Sequence, residues 1–396
     1  MKKYHISIFF LFVLALFIAC GTGNESVINE PVIFEPSSEI IEIQSFDGYM
    51  LRGRLTLPGE ENICKLVIFV QGSGPQTFDT RRNFGAGVVN HNDFYAKRFQ
   101  KMGIAFFAYN TRGIDLGDTP PTFFIMDEAK YQTYLPSTSV KDIYYMINYI
   151  KASDPRLNES RVLLLGHSEG AIIAPLVAER FPELIDGLFL LGVPIDNLRD
   201  ILTWQNTGGP SMAWFREHFE ADSQGRIGRA AFEADPNNVV ATMLQGAPFE
   251  DLDHNNDGYI SEEDFAIIWP SIVGYTLDDI LSAIERRDDN WLKNNYGGGL
   301  TPLTSGWFLE HFELRSNMEL LPTLDLPIFI FHGTLDQNCD VRRVYALKDK
   351  LAELNRTNIT VHIFSGYDHN LNLVQYVIRG ILPEGWQVVF DKIYNF

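Results

Sequence analysis

Short, almost wholly apolar runs separated by helix-patterned segments constrain this chain more than any other feature. Residues 66–70, 104–109, 162–165, 187–191, 328–331 and 360–364 are each too short to be a helix that buries a stripe. Few polar residues alternate within them, so they read as strands covered on both faces, which calls for a parallel sheet between helical layers. Helical spacing follows or precedes each of them. Val140, Ile143, Met146, Ile147 and Ile150 mark one helix over 139–151, and others are predicted near 94–102, over 171–180 and over 341–354, with one more closing the chain. Residues 40–44 and 50–57 instead alternate by twos around Asp47-Gly48, which predicts an antiparallel hairpin at one edge of the sheet.

The rhythm stops over residues 196–320. This stretch is helical in flavour and holds five of the six tryptophans, Trp204, Trp214, Trp269, Trp291 and Trp307. So long a gap between two sheet strands must be an insertion with its own structure. It leaves the sheet shortly before a strand that carries a candidate acid, and ligands of such sheets bind beyond the carboxyl ends of strands, so a lid is expected here. The sheet core then comprises 39–195 and 321–396.

Gly166-His167-Ser168-Glu169-Gly170 lies between a predicted strand and a predicted helix. A serine on such a tight turn is exposed at the strand end, and the helix start aims free N–H groups and a positive dipole end at it. Ser168 is the expected nucleophile. Such a serine needs a base, and the base needs an orienting acid. Asp336 follows the 328–331 strand and His369 follows the 360–364 strand, in the order serine, acid, histidine. His332, His362, Asp340 and Asp368 are the competing residues nearby. Two backbone donors should hold the oxyanion: the N–H of Glu169 and the N–H of Ser73 in the turn Gln71-Gly72-Ser73-Gly74-Pro75. That turn lacks the Lys-Ser/Thr ending of a phosphate-binding loop.

These motifs together resemble the α/β-hydrolases, and among them bacterial esterases related to dienelactone hydrolase and the serine aminopeptidase-type hydrolases. The resemblance rests on Gly72 to Pro75, Gly166 to Gly170, the Tyr-x-x-Arg-Gly turn from Tyr109 to Gly113, His332 to Asp336, and Asp368 to Asn370. Gln71 stands where many relatives have histidine, and Asn110 where aspartate is common. The resemblance implies an α/β-hydrolase fold and hydrolysis of a small carboxylic ester by Ser168, His369 and Asp336, with no cofactor for catalysis. Two other functions are weighed against it: an aminopeptidase or amidase, which would need an acidic anchor such as Glu169, Asp196 or Glu310 near the lid, and a surface binding lipoprotein with a vestigial triad.

Residues 1–19 read as a signal peptide: Lys2 and Lys3 precede a fourteen-residue core, apolar except for Ser7, that is too short to span a bilayer. Ala19-Cys20 at its end resembles a bacterial lipobox, with Phe17 where leucine is usual. That implies lipidation of Cys20, a membrane anchor through residues 20–38 as a tether, and a place in the cell envelope; Gly21, rather than aspartate, makes outer-membrane sorting the default. Within the insertion, residues 253–264 fit a twelve-residue EF-hand loop. Oxygen ligands would come from Asp253, Asn255, Asp257, the Tyr259 carbonyl and Asp264, with Gly258 at the sixth place and Asp264 where glutamate is usual. A structural Ca²⁺ in the lid is therefore expected. With 51 acidic against 32 basic residues the net charge is −19, which disfavours nucleic acid as a partner. Three cysteines are too few for a disulfide scaffold, and whether Cys64 pairs with Cys339 is left open.

Overall fold

The computed structural model describes residues 34–83, 88–120, 122–296 and 302–396. The leader, Cys20 and most of the tether lie outside the described residues. Eight strands form the main sheet: β1 Ser37–Gln44, β2 Met50–Leu57, β3 Lys65–Val70, β4 Ala105–Tyr109, β5 Arg161–His167, β6 Gly187–Leu191, β7 Ile328–Gly333 and β8 Ile359–Phe364. Their order is β1-β2-β4-β3-β5-β6-β7-β8. The first pairings, β1 with β2 and β2 with β4, are antiparallel, and every other pairing is parallel. The predicted edge hairpin is present, with its turn at Asp47-Gly48.

Residues alternate along the buried strands between two separate cores. Leu66, Ile68 and Val70 of β3 and Val162 and Leu164 of β5 face one side. Val67, Phe69, Leu163 and Leu165 face the other. On the first side lie helices α2 Pro136–Ser153, α3 Gly170–Arg180 and α8 Val341–Glu353; on the second lie α1 His91–Lys101 and α9 Glu384–Tyr394. Two helices begin before the apolar pattern does. The side chain of Asn90 caps α1 by accepting from the Asp93 N–H, and Pro136 opens α2, where a missing N–H costs nothing. The single closing helix expected from the sequence is two, Leu373–Arg379 and α9, separated by Gly380 and Pro383.

Residues 196–320 carry two small cores of their own. One joins helices α4 Leu198–Asn206 and α7 Ser305–Phe312 to Ile114, Tyr131 and Tyr134 of the sheet domain, and contains Trp307. The other gathers Met212 and Phe215 of helix α5 Gly209–His218, Phe249, and Phe265 of helix α6 Glu262–Val273. A two-residue ribbon pairs Ile227 with Ile260 and Gly228 with Tyr259, so the 253–264 loop lies back to back with a second loop over 219–228. No recognisable ligand pattern marks this second loop in the sequence. In it the Arg226 guanidinium folds back onto Asp222 and lies 3.7 Å from the centre of the Tyr259 ring.

The Tyr109–Gly113 turn belongs to the framework. Arg112 is buried and bonds Asp142 of α2 through Nε (2.7 Å) and Nη2 (2.6 Å), while its Nη1 reaches Asp47 of the hairpin turn (2.7 Å). Ser45 donates to Asp142 as well. Asp142→Ala should leave this guanidinium without its buried partner and destabilise the fold by about 3–5 kcal/mol. The expected result is a lower urea midpoint at an unchanged m value.

Candidate active site

The sheet order reverses between β3 and β5, because the chain leaves β3 toward β4 on one side and returns as β5 on the other. A crevice opens at the carboxyl ends of strands that part in this way. The 71–76 turn follows β3 and the Gly166–Gly170 turn follows β5, so the topology brings both to this crevice. Ser168 has φ +56°, the left-handed region that a side chain adopts only when its surroundings impose it. The surroundings do so tightly: a Cβ on Gly170 would lie 1.8 Å from the Val70 carbonyl oxygen, so only glycine lets α3 begin against the end of β3.

The structure brings Asp336 and His369 together. Asp336 Oδ2 accepts from His369 Nδ1 at 2.8 Å, and both residues are buried. Its other oxygen accepts from the N–H groups of Asn338 and Cys339. Gly192 (φ +55°) makes room: a Cβ there would lie 2.8 Å from the His369 ring. His369 and Ser168 line one cavity. The competing residues have other partners, although His332 Nε2 also lies 3.5 Å from Asp336 Oδ2. Asp340 caps α8 and pairs with Arg342, and Asp368 accepts from the Asn370 and Asn372 N–H groups. The buried ring of His332 accepts from the Val193 N–H through Nδ1, with Nε2 3.2 Å from the Cys339 carbonyl. His362 stacks on Phe331, 5.3 Å between centroids. Cys64 and Cys339 are both free thiols, one exposed and one buried, so they are not paired.

Ser73 and Glu169 lie beside Ser168 on the wall of a second cavity. Among the described residues, neither of their N–H groups has a hydrogen-bond acceptor, which leaves both able to receive an anionic oxygen. The Glu169 side chain was not foreseen in its actual setting. It is buried and accepts from Trp307 Nε1 (2.8 Å) and from the Tyr134 hydroxyl, with His311 Nε2 at 3.3 Å. The carboxylate next to the nucleophile is thus bonded to α7 of the insertion. Asp196 pairs with Arg343, and Glu310 accepts from the Ser137 N–H. All three residues considered as anchors for a substrate amine already have partners.

The cavity of about 310 Å³ beside Glu169 is lined mainly by apolar side chains, among them Ile172, Leu198, Ile201, Leu202, Leu303 and Phe308, together with Glu169 and Gln205. All of these but Ile172 and Glu169 come from residues 196–320, so the insertion covers this side of Ser168. The second cavity, about 370 Å³, holds His369 and is lined by more polar residues than apolar ones, with Phe69, Tyr95, Leu373 and Val374 among the latter.

In the 253–264 loop the carboxylates of Asp253 and Asp264 are buried. Asp253 accepts from the Asp257 and Gly258 N–H groups, and Asp264 from the Asn255 and Ser261 N–H groups. Among the described residues, no lysine or arginine pairs with Asp253, Asp257 or Asp264. The residue types suit a hard cation, but among the described residues Asp253, Asp257 and Asp264 do not bring three ligand atoms within 4.8 Å of one another, and their oxygens are held by backbone N–H groups. Asp264 also caps the start of α6, so both its oxygens are shared with the backbone.

A family model described as the alpha/beta hydrolase fold matches residues 83–224. The chain is 26% identical over 152 residues to esterase EstD of Thermotoga maritima, a match spanning 38% of this chain and 32% of that protein, so it covers less than two thirds of its curated relative. Among solved structures, a carboxyl esterase from Bacillus coagulans superposes with a TM-score of 0.49 at 15% identity, over 89% of this chain and 97% of that one. An acylaminoacyl peptidase from Pyrococcus horikoshii gives 0.49 at 13%, over 93% of this chain and 42% of that one. The sheet order and the matched family model make the fold the α/β-hydrolase fold.

Burial opposes charge on His369, but the neighbouring Asp336 carboxylate outweighs it and raises the imidazole pKa above its ordinary 6.5. Burial likewise opposes charge on Asp336, yet His369 and His332 hold it at about 2. His167, half-buried and close to His369, is lowered to about 3, chiefly by desolvation, and stays neutral. Asp336→Asn removes the raising charge and leaves the burial. An NMR titration should therefore show the His369 midpoint above 6.5 in the wild type and below it in the variant.

Proposed function

We propose that the protein is a serine hydrolase of carboxylic esters acting through an acyl-enzyme. The observation that carries this reading is the Asp336–His369 bond facing the cavity that holds Ser168 on its left-handed turn. Ser168 Oγ attacks the carbonyl carbon while His369 Nε2 takes the hydroxyl proton. The N–H groups of Ser73 and Glu169 receive the negative charge on the carbonyl oxygen. Collapse of the tetrahedral species breaks the bond to the alcohol oxygen, which takes the proton back from His369. Water then gives its proton to His369, attacks the acyl carbon and releases the acid, and Ser168 recovers its proton. Asp336 holds the imidazole in the tautomer with Nδ1–H and steadies its cation. The occupied states of Glu169, Asp196 and Glu310 support an ester over an aminopeptidase substrate, and a complete acid–base pair speaks against a vestigial site.

A panel of p-nitrophenyl esters and amino-acid amides tests the reading on wild type and Ser168→Ala. Ester turnover should dominate and fall by about 10⁴–10⁶ in Ser168→Ala, with His369→Ala similar and the double variant little worse. Asp336→Asn should lose about 10⁴ and move the acid limb of kcat/KM to lower pH. Turnover of amides alone, or of neither class, would overturn it.

The anchor and the ion belong to the same proposal. Acyl chains on Cys20 would hold the enzyme on the cell envelope, outer membrane by default, since more than one chain anchors stably. Cys20→Ser should release active esterase into the soluble fraction; a fully soluble processed wild type would defeat the claim. Ca²⁺ in the loop formed by Asp253, Asn255, Asp257, Tyr259 and Asp264 would stiffen the insertion without entering the chemistry. Because Asp264 is shorter than glutamate, the Kd should be on the order of 10⁻⁴–10⁻³ M. At about 100 times Kd the ion should add about 2.7 kcal/mol of stability, lost on chelation or in Asp257→Ala. No calorimetric binding at millimolar Ca²⁺ would remove the ion from the account.

A further inference from the structure

The two cavities that meet at Ser168 differ in a way that specifies the substrate. Ser73, Ser168 and Asn338 line both. His369 lines only the polar one. An imidazole that protonates the departing oxygen must lie on the side where the alcohol leaves, so the polar cavity takes the alcohol half of an ester. The apolar cavity under the insertion then takes the acyl half.

The polar cavity is unusual for this protein. The chain carries 51 acidic residues, yet among the described residues none lines this cavity, and one guanidinium, Arg82, does. Among the described residues, Arg82 bonds only neutral groups. Its Nη2 reaches Gln76 Oε1 at 3.0 Å and its Nη1 the Arg81 carbonyl at 3.0 Å, with no carboxylate in reach. The adjacent Arg81 shows the contrast, being held by Asp79 and Asp118. Burial lowers the Arg82 pKa, and no ion pair opposes that effect. His91, next on the same wall, is lowered to about 4 by burial and then by Arg82. With His167 neutral as well, Arg82 is the fixed positive charge of this cavity. A half-buried guanidinium that keeps donors toward a cavity without acid recognises a planar or tetrahedral anion.

We propose that Arg82, steadied by Gln76, binds an anionic group on the alcohol half of the ester, so that the preferred substrate joins an apolar acyl group to an alcohol bearing a carboxylate or phosphate. This rests on the ester-hydrolase reading and names its substrate class. The local charge has a further consequence. A molecule at −19 repels anions overall, and Arg82 supplies attraction only where the reaction occurs.

The test compares esters that share a butyryl group. One pair is para-carboxyphenyl butyrate and its neutral isostere para-carbamoylphenyl butyrate; the other is butyryl-glycerophosphate and monobutyrin. In the wild type, kcat/KM should favour the anionic member of at least one pair by about tenfold to a hundredfold, and which pair does so identifies the anion. Arg82→Gln should reduce that ratio to about one, Arg82→Lys should restore part of it, and Arg81→Gln should leave it as in the wild type. Product binding gives a second measure: para-hydroxybenzoate or glycerol phosphate should inhibit competitively, and Arg82→Gln should relieve that inhibition. Hydrolysis of neutral and anionic esters at equal rates by the wild type would overturn this inference and leave the esterase reading standing. Failure to cleave any of the four would overturn both.

Discussion

The contact between Gly170 and the carbonyl of Val70 is the constraint on which the site depends. No side chain fits between α3 and the end of β3, so the helix starts directly against the strand beside it. That approach leaves the chain no room after β5 except a sharp turn, and Ser168 takes the left-handed conformation at its tip. A non-glycine residue held there costs of order 1–3 kcal/mol, which the parallel pairing of β5 on both edges and the apolar burial around it must outweigh. The strain is thus fixed by the framework rather than by the serine. The same closeness keeps the Glu169 N–H at the helix start and the Ser73 turn on one side of the serine.

Glu169 extends that constraint into the insertion. A buried carboxylate left without partners would be costly, and here all its polar contacts come from Tyr134 and from Trp307 and His311 of α7. Breaking the elbow away from the insertion would expose an unpaired charge, so the two move together or not at all. The apolar wall supplied by α4 and α7 is therefore held at a set distance from Ser168, which a loosely packed lid would not guarantee.

The sheet was legible because its strands are buried on both faces and so spell out continuous apolar runs. Ser168, Asp336 and His369 were legible because each directly follows such a run, where a side chain can reach the crevice. Helix starts were less so: Asn90 and Pro136 act through capping and a missing N–H, signals that lie outside the apolar period. The setting of Glu169 could not be read, since its three partners come from 35 to 142 residues away in sequence and only the fold joins them. The ribbon between Ile227 and Ile260 escaped for a similar reason. Two residues per strand carry no period, and the loop over 219–228 has Arg226 on Asp222 in place of a recognisable ligand set.

That ribbon sets how far an ion in the 253–264 loop could influence the chemistry. Ile227 and Ile260 lie in the core of α5 and α6, apart from the core of α4 and α7 that faces Ser168. Contacts leave the α5–α6 core toward α4 and toward the loops that carry Asp336 and His369, where Ser365 donates to Glu217 of α5. Gly208, directly before α5, packs so closely on the Glu262 carbonyl and Phe265 that no side chain would fit. Glu262 also bonds Arg342, which pairs with Asp340 in the loop that carries Asp336. The Gly208 contact is tight, while the Glu217–Ser365 bond is exposed and the Glu262–Arg342 pair partly so, and exposed ion pairs are worth only about 0–1 kcal/mol. Stiffening the loop should then transmit chiefly through Gly208 to α4 and the acyl cavity, with little passing to the Asp336–His369 pair. An ion held there would act on which acyl groups fit and on how firmly the insertion stays folded, while the proton transfers at His369 keep the energetics that Asp336 sets.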